Sequence, residues 1–312
     1  MNLFELIVQQ TINGLTRGSI FALIALGYTM VYGIIELINF AHGDIFMLGL
    51  MISLTLFTDF GLARTLHGWE LVTILPLILV VTMILTGFLN LLVDRLAYRP
   101  LRRAPRLVPL ISAIGVSFML ENLTLVWKGP YVLSYPDIFP SIDILRDVFQ
   151  IDSQIYITTK DLLVVGVTIP LIFALHLFVT RTSWGKAMRA TAQDRETAAA
   201  MGIDVEKMIM LTFFVGGALA GAAGVVQGVY YNIGQWWMGY QAGLRAFTAA
   251  VLGGIGNMPG AAIGGFLIGF LSAWSDQYIS PRWTNAVVFA ILILVLVFRP
   301  HGLLGERAPE KH

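Results

Sequence analysis

The stretch RTSWGKAMRATAQDRETAAAMGIDVEK, Arg181–Lys207, is the longest charged, helix-like run in a chain that is otherwise mostly apolar. An apolar run long enough to cross a bilayer stands on each side, Leu162–Thr180 before it and the charge-free Met208–Leu244 after it. The stretch is rich in alanine, the strongest helix former, and reaches Gly202, a residue type common just past a helix C-terminus. The stretch predicts a short exposed helix between two membrane spans. This helix is either a binding surface for a partner in the aqueous phase or a solvated connection.

The composition predicts a membrane protein. Of 312 residues 57% are hydrophobic and 12% are charged, whereas soluble domains carry roughly 25% charged residues. Leu71–Val93 and Ala246–Ser275 are further charge-free runs longer than the roughly 18 residues that mark a spanning helix. Because open sheets cannot satisfy their backbone groups in lipid, we expect an all-α, polytopic integral membrane protein.

Several classes of site are excluded by the residues present. The chain has no cysteine, and its five histidines lack the spacing of metal ligands. The single Gly-Lys pair, Gly185–Lys186, has no glycine five positions earlier and therefore forms no phosphate-binding loop. A net charge of +1 gives no argument for a nucleic-acid partner. We expect no cofactor, no metal and no catalytic residue in this chain.

The distribution of charge predicts which loops lie inside the cell. Asp94–Arg106 carries five arginines against one aspartate and is therefore expected to be cytoplasmic. Residues 128–160 form a long, net acidic loop that fits the outside, and the crossing count then places residues 181–207 inside. The C-terminus, with Arg299, Arg307 and Lys311, is also expected inside. We count eight or nine crossings, with a short amphipathic lead-in over the first twelve residues.

Two broken segments, one in each half of the chain, are predicted at membrane depth. The polar residues Glu36, Asn39, His42, Gly43 and Asp44 separate two apolar runs with hardly room for a loop. In the second half, both ends of Ala246–Ser275 must lie outside, so this run must dip in and return, broken at Gly253–Gly260. Non-helical backbone at this depth is tolerated only where it faces protein or a water-filled cavity. The candidate gate or pathway residues are those five and Gly253, Gly254, Gly256 and Asn257.

The purely structural interpretation of the first cluster is a polar turn at the membrane interface. Glu121 is expected to be solvated or paired. Small residues at four-residue spacing allow close helix packing, which is the favoured role for the glycines of the later helices. These are Gly217, Gly221, Gly224, Gly228, Gly260 and Gly264.

Gly14–Gly49, and above all INFAHGD at Ile38–Asp44, closely resembles the opening of the inner-membrane permeases of branched-chain amino acid ABC importers, of the LivH type. The resemblance continues through Arg189–Asp204 and Ala250–Gly265 to Phe298–Glu306, so it covers essentially the whole chain as one permease domain, residues 1–312. In such importers the coupling loop carries a Glu-Ala-Ala-x-x-x-Gly motif. Here Glu196, Ala198 and Gly202 match it, while Thr197 replaces the first alanine.

The resemblance implies a multi-pass subunit of the bacterial cytoplasmic (inner) membrane with several partners. Two cytoplasmic ATPase subunits would grip the helix through Arg189, Asp194, Arg195, Glu196, Ala198 and Gly202. A second, related permease, giving a heterodimer, would pack on the small-residue faces of Gly217–Gly228 and Gly260–Gly269. An extracytoplasmic binding protein would deliver the amino acid.

Three alternatives stay open at this point. One is an ABC permease for urea, amides or other neutral amino acids. Another is an ion-driven secondary transporter that uses Glu36, His42, Asp44 and Glu121. The least favoured is a membrane-embedded hydrolase that uses His42 and Asp44, since no nucleophile or metal set accompanies them.

Overall fold

The computed structural model describes residues 2–102, 104–105, 107–150 and 154–305, and this part of the chain is mostly helical. The α-helices are α1 Leu3–Ile35, α2 His42–Asp59, α3 Trp69–Val93, α4 Leu107–Lys128, α5 Thr159–Arg181, α6 Ser183–Gln193, α7 Arg195–Ala200, α8 Val205–Tyr231, α9 Met238–Gly253, α10 Met258–Tyr278 and α11 Thr284–Phe298. Short π- or 3-10-helical turns occur at Asp94–Tyr98, Arg99–Leu101 and Ile144–Val148. Two short strands, β1 Leu133–Ser134 and β2 Ile233–Gly234, pair antiparallel. The predicted all-α membrane architecture is confirmed.

Contacts between helix ends define two ends of the bundle. At the end where α6 and α7 lie, the α6 end, Arg195 reaches the carbonyl of Ile34 at the end of α1. Between α9 and α10, Cα of Gly256 lies 3.6 Å from the position of a Cβ at Gly33, near the same end of α1. At the opposite end, Gln10 near the start of α1 binds Gln277 near the end of α10. Both ends of the α9–α10 pair therefore lie opposite α6, as the crossing count predicts.

Six helices are long and apolar enough to cross a membrane: α1, α3 together with the turns that continue it to Leu101, α4, α5, α8 and α10. In the described part of the chain α11 is a shorter apolar helix of 15 residues, while α2 and α9 have 18 and 16 residues. The count of eight or nine crossings remains a prediction. Arg103, Arg106, Arg307 and Lys311, on which the charge argument also draws, lie outside the described residues.

The helices differ in how much of their apolar surface the chain itself covers. In the most apolar window of α1 89% of residues are buried, and 78% in that of α8, against 28% in α3 and α4 and 22% in α5. α1 and α8 thus form the centre of the bundle. The uncovered apolar faces of α3, α4 and α5 are available to lipid or to another subunit.

The glycine faces pack inside the chain. Gly217 and Gly221 of α8 contact Thr86 of α3, and Gly264 of α10 contacts Ala249 of α9. A Cβ at Gly264 would lie 2.0 Å from the carbonyl oxygen of Ala249, so a larger residue does not fit. These glycines therefore lie against other helices of the same chain. The expectation that a second permease packs on these faces is wrong, because this chain's own helices already cover them.

The N-terminal lead-in is also corrected. α1 begins at Leu3 and continues unbroken to Ile35. The backbone N–H of Asn2 binds the Glu5 carboxylate at 2.7 Å, as in a capping box, so the early residues start the helix. Arg17 is tolerated within α1 because it forms an ion pair with Asp276 of α10.

Candidate functional site

The segment between α5 and α8 folds as two helices. Thr182 caps α6 by accepting from the N–H of Gly185 at 3.0 Å. Asp194 ends α6 and starts α7, accepting from the backbone N–H groups of Glu196 at 2.9 Å and Thr197 at 3.2 Å. Aspartate is a preferred N-cap residue, so the break falls where the sequence places one. Gly202, at φ +85°, follows α7, in agreement with the predicted helix end.

Two arginines of this segment bind the ends of membrane helices. Arg189 donates to the carbonyl of Val179 in the last turn of α5, and Arg195 donates from Nε to the carbonyl of Ile34 in the last turn of α1 at 3.2 Å. Cations at a helix C-terminus satisfy free carbonyls and interact favourably with the helix dipole. These two residues therefore join the segment to α5 and α1 in addition to any role at its surface.

The outward side of the segment carries charge and apolar surface. Glu196 is exposed, while Ala198 is buried. Met201 is 78% exposed, which is unusual for a large apolar side chain. Just after the segment's second helix, Asp204 accepts hydrogen bonds from the backbone N–H of Lys207 and from its side chain. These bonds, the backbone one most of all, hold the pKa of the Asp204 carboxyl below its usual value. Below the segment a cavity of about 490 Å³ reaches Glu36 at the end of α1.

The arginine-rich loop contributes more than a topological signal. Arg102 donates to both Asp94 and Glu206, at 2.6 Å and 2.8 Å for the closest atoms, and so links the end of α3 to the first turn of α8. The Asp94 side chain is 1% exposed. The sequence predicts the inside location of this loop but not the pairing, which depends on two carboxylates from different helices.

The first broken segment, residues 36–41, is held by a chain of side-chain hydrogen bonds. Glu36 adopts φ +53°, a left-handed conformation, and ends α1. The Tyr98 hydroxyl donates to Asn39 Oδ1 at 2.7 Å, and the Asn39 amide faces Asn90 Oδ1 at 3.4 Å. Asn90 in turn donates to the carbonyl of Phe213 at 2.7 Å. The sequence predicts Asn39 as a member of this site and misses Tyr98 and Asn90, which have no pattern of their own.

His42 and Asp44 lie inside the bundle, each 0% exposed. Within the described residues, neither imidazole nitrogen and neither carboxylate oxygen has a hydrogen-bond partner. The Tyr28 ring packs edge-on against His42 with centroids 4.7 Å apart. The Ser117 hydroxyl of α4 lies near the Asp44 carboxylate, and Glu121, one turn further along α4, is close enough to Asp44 to interact with it electrostatically.

This placement bears on the two interpretations of the cluster. His42 Nε2 would lie 2.3 Å from a Cβ at Gly27, about two turns before the end of α1, so the start of α2 is packed inside the bundle. This buried position favours a gate or pathway role over a turn at the membrane interface. Glu121, which the sequence predicts to be solvated or paired, is buried beside Asp44 and is therefore not solvated.

α2 and α9 approach each other through glycines directly beside Asp44. A Cβ at Gly43 would lie 2.3 Å from the carbonyl oxygen of Gly239 and 2.7 Å from Cα of Gly243. A Cβ at Gly239 would lie 2.5 Å from Asp44 Oδ1. The start of α2 therefore depends on backbone-to-backbone packing that no larger residue permits.

The second broken segment is shorter than predicted. Only residues 254–257 are non-helical, with Gly254 and Gly256 at φ +109° and +92°. Asn257 caps α10 by accepting from the N–H of Gly260 at 2.9 Å, and its amide donates to the carbonyl of Leu304 at 2.9 Å. α9 begins at Met238 rather than near residue 246, because Asn232 ends α8 in a left-handed conformation and frees the following residues to start a new helix.

The described residues contain no group of three or more histidine, cysteine or acidic side chains that could hold a metal ion. The arrangement is therefore one of helix junctions, cavities and buried polar groups.

Comparison with known proteins agrees with this arrangement. Residues 10–296 match the family model described as "Branched-chain amino acid transport system / permease component". The chain belongs to this permease family. The match includes both broken segments and the α6–α7 segment.

This permease is 40% identical over 308 residues to the high-affinity branched-chain amino acid transport system permease protein LivH of Escherichia coli K12, covering 99% of this chain and 98% of that protein. It is also 40% identical to BraD of Pseudomonas aeruginosa, a permease protein of the same description, with 97% of each chain covered. At greater distance, it is 25% identical to the inner membrane ABC transporter permease protein YjfF of E. coli, covering 93% of this chain and 83% of that protein. No solved structure matches it. The family supports the LivH type that the sequence resembles.

Proposed function

We propose that this permease is the transmembrane subunit of an ATP-driven importer that carries branched-chain amino acids across the cytoplasmic membrane. The names of its relatives at 40% identity support the substrate class, and the name of the more distant relative supports an ABC transporter. The observation that carries the mechanism is the α6–α7 segment, which presents exposed surface on one side and binds the ends of two membrane helices on the other.

The α6 end is the cytoplasmic end in this proposal. It holds Arg102, Arg189 and Arg195, in line with the excess of positive charge in cytoplasmic loops. The start of α1 and the long loop before α5 then lie outside, where an extracytoplasmic binding protein docks. The nine helices α1–α5 and α8–α11 of the described chain, if all cross, place the two termini on opposite sides.

Coupling proceeds through contacts of the segment with α1. Two partner ATPases grip the exposed face around Glu196 and Met201. When ATP closes them, α6 and α7 move, and Arg195 transmits the displacement to the last turn of α1. That turn leads directly into residues 36–41, so the first broken segment shifts and opens or closes the path beside Asp44. The permease changes conformation because the ATPases bind its two conformations with different free energies.

A second, related permease completes the pathway. Because the glycine faces are already covered by this chain, the second permease packs on the exposed apolar faces of α3, α4 and α5. The rest of these faces contacts lipid.

The experiment is affinity purification of the tagged permease from its native membrane. We expect the wild type to retain two ATPases and a second permease, and Glu196→Lys to lose the ATPases while keeping the second permease. Asp59→Lys, the same kind of charge reversal at an exposed residue of the opposite end, is the matched control and should retain all partners. Retention of the ATPases by Glu196→Lys, or their loss in Asp59→Lys, contradicts the assignment of this segment.

The buried acidic pair, Asp44 and Glu121, is the feature that an ion-driven carrier would use. Uptake into proteoliposomes separates the two mechanisms. The importer requires ATP, its partners and the binding protein for leucine uptake, and a sodium or proton gradient alone should drive none. Uptake of urea or amides in place of leucine would identify the other substrate class.

A further inference from the structure

A cavity of about 380 Å³ lies at the end of the bundle opposite α6, between α1, α2, α8, α9 and α10. Ile233 and Gln241, which line it, are exposed, so it opens to the surface. Phe46 and Met238 also line it and stand close in sequence to Gly43 and Gly239, so the cavity reaches the contact between α2 and α9. Its size falls within the roughly 300–1,000 Å³ of small-molecule sites.

The charged groups in its wall are two guanidinium groups and one carboxylate. Arg17 is committed to an ion pair with Asp276. Arg245 donates from Nε to Asn285 Oδ1 at 3.0 Å, and among the described residues its Nη atoms have no hydrogen-bond partner. Arg17 and Asp276 are near enough to Arg245 to interact with it electrostatically. The wall thus carries one uncompensated positive charge with free donors, which favours an anionic group.

The rest of the wall is apolar with a few amides. The apolar members are Ile20, Phe21, Phe46, Ile233, Met238 and Ala242, the amides are Gln227, Gln235 and Gln241, and Tyr231 adds a phenol. An apolar lining with a few convergent polar groups is typical of sites that bind small molecules. A neutral amino acid has the matching parts, namely a carboxylate, an ammonium group and an apolar side chain.

We propose that this cavity is a transit site for a neutral α-amino acid, in which Arg245 binds the carboxylate and the wall around Phe21, Phe46 and Met238 receives the apolar side chain. The ammonium group donates to the side-chain oxygens of Gln227 and Gln235. This inference rests on the proposed function, which makes an amino acid the transported solute. Urea and simple amides lack the carboxylate and leave the Arg245 donors unused.

The absence of cysteine from the chain makes a direct test practical. Gln241→Cys places the subunit's single thiol at the cavity, and Tyr131→Cys places it at an exposed position in the loop after α4, away from the cavity lining. The assembled importer in lipid nanodiscs is labelled with a small maleimide, and the mass shift of this subunit is followed. We expect leucine to slow labelling of Gln241→Cys, leucinamide to slow it far less, and neither to affect Tyr131→Cys.

Removal of the guanidinium sharpens the test. Arg245→Gln in the Gln241→Cys background should raise the leucine concentration for half protection roughly 10- to 100-fold, the loss expected for a charge-assisted hydrogen bond. Arg245→Lys keeps the charge and should recover part of the protection. Each variant is first checked for retention of its partners, so that loss of fold is seen separately.

The contradictory outcomes are distinct. Equal protection by leucine and leucinamide, or protection unchanged in Arg245→Gln, overturns the carboxylate site. No protection of Gln241→Cys, in a complex that still imports leucine with ATP, overturns the transit site and leaves the proposed function standing. Failure of the wild-type complex to import any branched-chain amino acid removes the proposed function itself.

Discussion

The two broken segments of this permease are built from similar residues but are completed in different ways. The first, residues 36–41, is held by side chains from α3 and the turn that follows it. It leads into His42 and Asp44, whose side-chain polar atoms have no hydrogen-bond partner among the described residues. The second, residues 254–257, is held by its own cap and by the chain after α11, with Asn257 bonded on both sides of its amide. From sequence both are equal candidates for a gate. We propose that the first break, with its unsatisfied groups, is the element that changes, and that the second, with its satisfied cap, is an anchor.

The largest expected difference in stability between the two breaks comes from replacing one glycine in each. Gly43→Val inserts a branched side chain where a Cβ alone would lie 2.3 Å from the carbonyl oxygen of Gly239, and backbone cannot yield as a flexible side chain does. We expect it to lower the free energy of unfolding by at least about 3 kcal/mol or to prevent folding. At the second break, a Cβ at Gly256 would have no neighbour within 4 Å. Gly256→Ala should therefore lower the free energy of unfolding only through its φ of +92°, by about 1–2 kcal/mol.

Thermal unfolding of the two variants in detergent, with size-exclusion profiles of the membrane extract, measures this difference. If Gly256→Ala is as damaging as Gly43→Val, backbone contact at the start of α2 is not the distinguishing feature of the first break.

The next effect tests the side-chain network at the first break. Tyr98→Phe removes the hydroxyl that donates to Asn39 at 2.7 Å and leaves a buried acceptor without its partner. We expect a loss of about 1–2 kcal/mol, since an unsatisfied buried group costs its full desolvation. Tyr131→Phe, at a side chain 75% exposed, is the matched control and should be neutral. Equal stability of Tyr98→Phe and wild type would mean that residues 36–41 are held in another way.

At the second break, Asn257→Ala removes the cap of α10 and the contact with Leu304. Loss of an N-cap costs about 1 kcal/mol. Asn257→Asp keeps the acceptor for Gly260 and loses the donor to Leu304, so it separates the two contributions. Because we assign this break as an anchor, leucine uptake per assembled complex should stay near the wild-type rate in both variants. A fall in uptake without a fall in stability would make the second break a gate as well.

The sequence predicts the architecture of this permease well because its signals are strong and local. Long apolar runs, the arginine excess at residues 94–106 and the polar interruption at Glu36–Asp44 each depend on a few neighbouring residues. The crossing count even predicts that the α9–α10 pair returns to the end from which it starts. What it misses depends on contacts between distant residues.

The missed features show this limit in particular residues. Nothing near Tyr98 or Asn90 announces that they meet Asn39, and nothing near Arg195 announces that it binds the end of α1 rather than only the aqueous phase. The small-residue spacing of Gly217–Gly228 correctly predicts close packing but not the partner, because the same face suits a helix of this chain or of another subunit.

The smallest expected effect on stability is the most informative for function. Asp44→Asn replaces a fully buried carboxylate, without a hydrogen-bond partner among the described residues, by a neutral group of the same shape. Burying an unpaired charge is costly, so this change should leave the free energy of unfolding within about 0.5 kcal/mol of wild type or raise it. Asp161→Asn is the matched control: Asp161 accepts from Thr16 at 2.9 Å and Tyr230 at 3.0 Å, so the same substitution should lower stability by about 1–3 kcal/mol. Leucine uptake per assembled complex should fall in Asp44→Asn, because a carboxylate kept at such a cost is expected to act in the pathway. If Asp44→Asn unfolds as readily as Asp161→Asn, or transports leucine at the wild-type rate, Asp44 serves the fold alone and the contrast between the two breaks loses its functional meaning.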